Sequence, residues 1–293
     1  MSRPHPLPAA LRRRLFLGSS AVREGLLTDN QLRSKNVRRV LQDVYADAAL
    51  TPDHGLRIAA AAMVMPELVA IAGRSAAWLY GVRLARPQDP VEVVAEEEVR
   101  RHPRGGVTVH TGALPDTDVE QIGRFRTTSP ARTCVDGSRW YEPEAAIELV
   151  DALLAAQLVL PIDLDRQLGQ SVGRGVGRAR RLLPLADGRA QSPPESRLRL
   201  KVVRAGLPPP EPQIEVWHNA KFVARLDLGW REAKVGLEYD GAWHGAPGQL
   251  ASDRKRLNAL VAAGWTIIFV TSADMRDLSA ILAQVRQALR LAA

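Results

Sequence analysis

Residues 222–241, FVARLDLGWREAKVGLEYDG, constrain the fold of this chain more than any other stretch. Apolar and polar side chains alternate on both sides of a polar turn at 231–234, which is the period-2 pattern of two half-buried strands. The segment therefore predicts a β-hairpin. If Trp230 and Val235 flank the turn as a pair, the register of the whole hairpin follows.

This register brings acidic side chains together. It places Asp227 opposite Glu238, and Asp240 follows two residues later on the same face. Opposed side chains have Cβ atoms about 5 Å apart, and like charges at that spacing repel. A divalent cation would convert the repulsion into binding, because hard cations take oxygen ligands from carboxylates. The alternative interpretation is a solvated strand face without a ligand.

A metal site would divide the roles among these carboxylates. Asp227 and Glu238 would bridge one Mg²⁺, or Mn²⁺ in its place, and Asp240 would hold a second ion or a metal-bound water. A bound metal polarises a phosphoryl oxygen and lowers the pKa of bound water, which suits phosphodiester hydrolysis. His244, just beyond the strand, would move a proton or contact phosphate, unless it is simply a surface-loop residue.

Two neighbouring helices carry further candidates. Glu195 lies in Ser192-Pro-Pro-Glu195, a capping box with proline at the first helical position, so capping and membership of the carboxylate group are both open. The helix predicted for 249–262 carries basic side chains that either grip a nucleic-acid backbone or form a solvated face. These side chains are Arg254, Lys255 and Arg256.

Charge and cysteine content narrow the class of protein. The chain of 293 residues has a formal net charge of +8, which favours an anionic partner, and nucleic acid is the class it indicates. The single cysteine, Cys134, excludes an intramolecular disulfide and fits a reducing cytoplasm. No apolar run approaches the roughly 20 residues of a membrane span, and we expect neither a membrane segment nor a signal peptide.

The N-terminal residues predict a basic helical pair. Thr28 can cap a helix at 29–35, and Asn36 can cap a second helix at 37–42 that carries Arg38 and Arg39. Two short helices joined by a tight turn, the second of them basic, suit a helix-turn-helix that binds DNA. The alternative is a solvated helix face.

These patterns together predict a multi-domain α/β protein. Residues 1–50 would form a mainly helical winged-helix or helix-turn-helix unit, and residues 51–188 an α+β middle domain. Residues 189–293 follow the order helix, three strands, helix, strand, helix, which predicts an α/β sandwich with a mixed sheet.

The C-terminal region, from about 190 to 275, contains five recognisable motifs: SPPESRLR at 192–199, AGLPPPEPQ at 205–213, RLDLGW at 225–230, VGLEYDGAWH at 235–244 and DRKRLNALVAAGW at 253–265. Through these motifs the region resembles the DUF559 domain of the restriction-endonuclease-like superfamily, akin to the very-short-patch-repair endonucleases. The resemblance implies a PD-(D/E)xK-like nuclease core.

The same resemblance assigns roles to individual residues. It gives the family's acidic positions to Glu195, Asp227 and Glu238. Asp240 stands where the motif's lysine usually stands, and His244 or Arg254 would fill that lysine's role. Patch-repair enzymes also carry a structural zinc site, which this chain lacks the cysteines to build.

The front of the chain is similar to the AbiEi-type winged-helix domain of antitoxins, through LLTDNQLRSKNVRRVLQDVYAD at 26–47. SPARTCVD at 129–136 resembles a segment common in actinobacterial proteins of this two-part architecture. The two resemblances leave two hypotheses. One is a Mg²⁺-dependent DNA endonuclease or nickase, and the other is a DNA-binding antitoxin-type transcriptional regulator whose nuclease-like domain does not cut. A toxin or a repair protein would be the partner.

Overall fold

A computed structural model describes residues 7–97, 105–241 and 249–291 of the chain. These residues form eleven α-helices and three β-sheets, one of them antiparallel and two of them mixed. The predicted α/β class is therefore confirmed. None of the helices described is long and apolar enough to cross a membrane.

The chain divides into two compact units. The first unit holds residues 1–137 together with 162–170, and the second holds 138–161 together with 171–293. The domain boundaries predicted at residues 50 and 188 rest on composition and on linker residues such as proline and glycine, and not on which residues pack together. They stay predictions.

The first unit begins with two short helices and a small sheet. Its elements are β1 (Leu15–Leu17), α1 (Gly18–Arg23), α2 (Asp29–Leu32), β2 (Val37–Leu41) and β3 (Val44–Asp47). The sheet is antiparallel with the strand order β1-β3-β2, so a hairpin of β2 and β3 follows the helix pair. This order of elements agrees with the winged-helix unit predicted for residues 1–50, which stays a prediction, and the hairpin at 37–47 is called the wing below.

The helix predicted for Val37–Gln42 is wrong, because these residues form strand β2 and the turn that follows it. Valines 37, 40 and 44 are β-branched and favour a strand. Asp43 has a φ of 60°, the left-handed conformation of a tight hairpin turn. Its carboxylate accepts hydrogen bonds from the Ser19 N–H at 2.8 Å and the Ser19 hydroxyl at 2.6 Å, which fixes the turn against α1.

The helix start predicted at Thr28 is confirmed, although the helix ends at Leu32 rather than Lys35. Thr28 and Gln31 form a reciprocal capping box. The Thr28 hydroxyl accepts from the Gln31 N–H at 3.3 Å, and the Gln31 side chain accepts from the Thr28 N–H at 2.8 Å.

A five-stranded mixed sheet follows, with the order β6-β5-β4-β8-β7. The elements in chain order are α3 (His54–Ala62), β4 (Ala70–Ile71), α4 (Gly73–Leu79), β5 (Val91–Ala95), β6 (Val107–Thr111), β7 (Val119–Ile122), β8 (Phe125–Thr128), α5 (Pro130–Trp140), α6 (Pro143–Ala155) and α7 (Pro161–Gln170). One apolar core joins this sheet to the wing through Val44, Ile58 and Val93. The wing is therefore packed on a rigid support.

Arg132 and Asp136, four residues apart on α5, form an ion pair within a buried polar network. Arg132 Nε donates to Asp136 at 2.7 Å, and its Nη1 contacts Asp118 at 2.5 Å. Gln167 donates to the same Asp118 at 3.1 Å. The network ties α5 to the segment before β7 and to α7.

The second unit carries the mixed sheet predicted for the C-terminal region. Its remaining elements are α8 (Val176–Leu182), α9 (Pro193–Arg204), β9 (Glu211–His218), β10 (Lys221–Trp230), β11 (Val235–Asp240), α10 (Gln249–Ala262), β12 (Thr266–Thr271) and α11 (Ser279–Leu291). The strand order is β12-β11-β10-β9, with β11 and β12 parallel and the other pairs antiparallel. Helices α9 and α11 share one apolar cluster with the sheet, and α10 contributes to another.

Helix α9 is also anchored to α6 by a buried ion pair. Arg199 donates to Asp151 at 2.8 Å, and both side chains are less than a tenth exposed. The second Asp151 oxygen accepts the Asp187 N–H at 2.7 Å. The position of Glu195, one turn before Arg199, therefore depends on this anchor.

Candidate functional site

The hairpin of β10 and β11 has the predicted register around its turn. Trp230 pairs with Val235, and the ladder continues to Leu228 and Leu237. One further step along this register places Asp227 beside Glu238. The Asp227 carboxylate accepts the backbone N–H of the next strand, at Tyr239, over 2.9 Å.

Asp227 lies in an environment that disfavours its charge. Burial raises the pKa of Asp227 to about 6, and the negative charges of Glu195 and Glu238 push in the same direction. The Tyr239 N–H and the Arg256 guanidinium oppose this shift without cancelling it. The structure thus brings Glu195 and Glu238 within electrostatic range of Asp227, and these three side chains are called the carboxylate cluster below.

Glu238 is buried and held by Arg256 from α10. Arg256 Nη1 donates to one carboxylate oxygen at 2.9 Å, and Nη2 donates to the other. Such a two-pronged contact is the strong form of an arginine–carboxylate pair. Arg256, predicted to contact nucleic acid, therefore balances the charge of Glu238 in this structure.

Glu195 holds the chain that enters α9. Its carboxylate accepts the Gln191 N–H at 2.9 Å, the Ser192 hydroxyl at 2.7 Å and the Gln213 amide at 2.9 Å. The predicted capping box is wrong, because the Ser192 side chain makes no cap hydrogen bond and donates to Glu195 instead. Glu195 therefore stabilises the chain at the N-terminus of α9 and is also a member of the carboxylate cluster.

The other predicted residues of this region are exposed or lie outside the described chain. Asp240 is exposed at the end of β11, where it pairs with Thr271 of β12. Arg254 and Lys255 are exposed on α10. His244 lies outside the described residues.

The donor set of the carboxylate cluster suits a hard cation, since all of its donors are carboxylate oxygens. In this structure, however, the three carboxylates are not arranged as a set of metal ligands. Within the described chain, no group of three or more His, Cys, Asp or Glu side chains is placed to hold a metal ion. A cation shared by Asp227 and Glu238 would have to compete with Arg256 for the Glu238 oxygens.

The two arginines predicted to bind DNA through the N-terminal unit differ in their surroundings. Arg38 is half-buried, and its guanidinium donates to the carbonyls of Leu50 at 2.8 Å and Ala48 at 3.0 Å. Arg39, the next residue on β2, is exposed, and its Nε makes one long hydrogen bond, to the Leu41 carbonyl at 3.4 Å. Arg38 therefore holds the chain after the wing, and Arg39 projects from it.

Two other exposed basic residues near the wing were not predicted as candidates. Arg33 and Lys35 lie in the connection between α2 and β2, directly before the strand that carries Arg39. The sequence signal for them is the clustering of basic residues within 33–39. A helix at 37–42 would separate these side chains, whereas the observed strand β2 directly continues the segment that carries Arg33 and Lys35.

Residues 68–185 match the AbiEi antitoxin C-terminal domain. The match covers the middle of the chain, and the resemblance of 26–47 to the winged-helix domain of antitoxins lies outside it and stays a prediction. The SPARTCVD segment at 129–136, with its buried Arg132 and Asp136, falls inside the matched range. The resemblance to DUF559 in the C-terminal region stays a prediction.

Two uncharacterized proteins of Mycobacterium tuberculosis align with most of the chain. MT2308 from strain CDC 1551 / Oshkosh and Rv2248 from strain H37Rv are each 33% identical over 257 residues, which cover 85% of this chain and 90% of each relative. The crystal structure of the RV2827C protein from Mycobacterium tuberculosis aligns with a TM-score of 0.39 and 17% identity, covering 69% of this chain and 77% of that one. The chain therefore belongs to one family with MT2308 and Rv2248, and its residues 68–185 match the AbiEi antitoxin C-terminal domain.

Proposed function

We propose that this protein is a DNA-binding regulator of the antitoxin type, which contacts DNA through the wing and the helix pair before it. The observation that carries the proposal is the exposed Arg39 on the wing, in a chain whose residues 68–185 also match the AbiEi antitoxin C-terminal domain. The AbiEi match extends the proposal to a toxin protein as a partner.

The wing presents Arg39 on a rigid support. Asp43 ties the turn of the wing to Ser19, and Arg38 ties its far end to the carbonyls of Ala48 and Leu50. Phosphate contacts fix the register of a protein on duplex DNA, and basic side chains supply most of them. A cation held on an ordered hairpin loses less conformational entropy on binding than one on a loose loop.

Selection from genomic DNA tests this proposal. Purified protein is mixed with fragmented genomic DNA from the source organism in the presence of EDTA, and the retained fragments are sequenced. We expect the wild type to enrich a small set of fragments and Arg39→Ala to lose most of that enrichment. Arg180→Ala removes the same charge from an exposed position of α8 in the second unit and serves as the matched control. Enrichment that survives Arg39→Ala unchanged contradicts the proposal.

The carboxylate cluster favours a second candidate function, a metal-dependent endonuclease or nickase. Asp227 and Glu238 would hold Mg²⁺ or Mn²⁺, with Asp240 nearby, and the ion would supply a polarised phosphoryl oxygen and an activated water when bound. The chain's own contribution is the burial of Asp227, which raises the pKa of its carboxyl group. A bound cation would stabilise the charged form of this carboxylate.

Cleavage assays separate the two candidates. Supercoiled and oligonucleotide DNA are incubated with the protein in Mg²⁺, Mn²⁺ or EDTA. A nuclease would cut only with metal, and Asp227→Asn and Glu238→Gln would each abolish cutting. If the protein binds DNA through the wing but does not cut it under any of these conditions, the result supports the regulator and contradicts the nuclease.

A further inference from the structure

The hairpin of β9 and β10 ends in a pair of aromatic side chains. Its tip, residues 217–222, has the sequence WHNAKF. The turn residues Asn219 and Ala220 have φ values of 50° and 60°, as the tight turns preferred by hairpins require. Trp217 and Phe222 are directly opposed, with ring centroids 5.6 Å apart and planes inclined by 75°. The pair therefore has a defined geometry.

Both rings remain largely in water. Trp217 is 58% exposed and Phe222 is 54% exposed, whereas Val216 and Ala224 on the other face of the hairpin are buried. An aromatic pair across two strands stabilises a hairpin by about 0.2–1 kcal/mol, which accounts for the contact between the rings but not for their open faces. Adjacent apolar groups left open to solvent indicate a surface that another molecule covers.

The charge around the tip indicates what that molecule is. Lys221 carries the tip's only formal charge, and His218 beside it is also exposed. The Trp217 indole N–H donates to the Glu215 carboxylate at 3.3 Å, a contact at the edge of the ring that leaves its faces open. Arg225 is exposed on the next outward pair of the ladder, opposite Glu215. An apolar protein surface would bury the Lys221 charge at a cost, while a ligand with flat rings and an anionic backbone would satisfy both groups.

The outward side of the hairpin also leads towards the carboxylate cluster. Arg225 donates to the Gln191 side chain at 3.1 Å, and Gln213 donates to Glu195 at 2.9 Å, so both residues reach the entrance of α9. Asp227 follows Phe222 by five residues, about 15 Å along an extended strand. A polynucleotide held at the tip would thus pass Arg225 on its way to Asp227.

We propose that the tip is a base-stacking site for nucleic acid, where an unpaired base stacks on Trp217 or Phe222 while Lys221 and Arg225 contact the adjoining phosphates. The inference rests on the proposed nucleic-acid binding and adds to it a contact in the second unit. Stacking on aromatic rings tolerates any base, because every base has a π face, so this contact holds single strands without choosing a sequence.

Removal of bases from the ligand tests stacking directly. The affinity of the full-length chain is measured in EDTA for a labelled single strand of about 12 nucleotides, within the range of known single-strand sites. A second strand of equal length carries abasic sites, which keep the phosphates and remove the rings. We expect the wild type to bind the normal strand at least about fivefold more tightly than the abasic strand, the lower end of what one stacked base contributes.

Two double variants separate stacking from apolar contact. Trp217→Leu with Phe222→Leu keeps apolar side chains and should bind both strands equally. Trp217→Phe with Phe222→Tyr keeps aromatic rings and should retain most of the preference for the normal strand. The positions are exposed, so the melting temperature of either variant should stay close to that of the wild type.

Three outcomes would overturn the inference. The first is a wild type that does not distinguish the two strands, and the second is a leucine variant that keeps the preference. The third is a leucine variant whose oligomeric state changes while its affinity for single strands does not, because the tip would then be a protein contact. Arg39→Ala should lower duplex affinity without changing the preference for bases, and a chain that binds neither ligand refutes the proposed function together with this site.

Discussion

Replacement of Asp227 by asparagine should stabilise the protein at neutral pH. The pKa of Asp227 is raised from its ordinary value of 3.8 to about 6, first by burial and then by the charges of Glu195 and Glu238. A shift of about two pH units corresponds to roughly 3 kcal/mol of cost for the charged form, and partial exposure to solvent reduces this to about 1–2 kcal/mol. Asparagine removes the charge and keeps an oxygen that can accept the Tyr239 N–H.

The pH dependence of this effect has a defined sign. Because the folded pKa lies above the unfolded one, the native state binds the proton more tightly, and the stability of the wild type falls as pH rises from about 4 to 6. The advantage of Asp227→Asn should therefore be full at about pH 7.5 and nearly absent at about pH 4.

Thermal unfolding at these two pH values checks the argument. A gain of about 1–2 kcal/mol corresponds to a rise of roughly 3–6 °C in the melting temperature of a unit of this size. Asp240→Asn, at the exposed end of β11, is the control and should change stability by less than about 0.5 kcal/mol. A destabilised Asp227→Asn, or a gain of equal size at both pH values, would refute the electrostatic account of this residue.

Three further changes probe the support of the wing and of α9. Arg38→Ala should lower the melting temperature by leaving the Ala48 and Leu50 carbonyls unpaired, and Arg39→Ala should lower it less, because it loses only one long hydrogen bond to Leu41. Asp151→Ala should cost about 3–5 kcal/mol in urea unfolding, because it leaves Arg199 buried without its carboxylate, and a loss below about 1 kcal/mol would contradict this role. Asp47→Asn should destabilise the chain at neutral pH only. The Arg13 and Ala49 N–H groups lower the pKa of Asp47, so its contribution is present above the ordinary carboxyl range and is lost as pH falls below it.

The β10–β11 hairpin could be predicted because its evidence is local. Apolar and polar side chains alternate with period 2 on both sides of a polar turn. The pair of Trp230 and Val235 that flanks the turn sets the register, and the structure contains this pair. The strand at 37–41 carried a comparable signal in its valines and in the turn at Asp43. The sequence nevertheless predicts a helix there, because Arg38 and Arg39 suit a basic helix and Asn36 is a favourable helix cap.

The partners of the acidic residues could not be predicted, because they depend on how distant segments pack. Arg256 lies 18 residues beyond Glu238 and reaches it only because α10 packs against the sheet. Glu195 accepts a hydrogen bond from Gln213 of β9 and its charge acts on Asp227 of β10, and the residues around 195 alone leave its capping role and its membership of the carboxylate cluster both open. The exposure of Trp217 and Phe222 is equally a tertiary property, since period 2 alone places large rings inside as readily as outside.

The salt dependence of duplex binding by Arg39→Ala tests the central claim, that the wing contacts DNA, most directly. Fluorescence anisotropy with a labelled duplex in EDTA, at several salt concentrations from about 50 to 200 mM, gives the slope of log affinity against log salt. The account predicts weaker binding by Arg39→Ala and a slope smaller by about one, the loss of a single phosphate contact, with Arg180→Ala unchanged. The same affinity and the same slope in Arg39→Ala and wild type would contradict it.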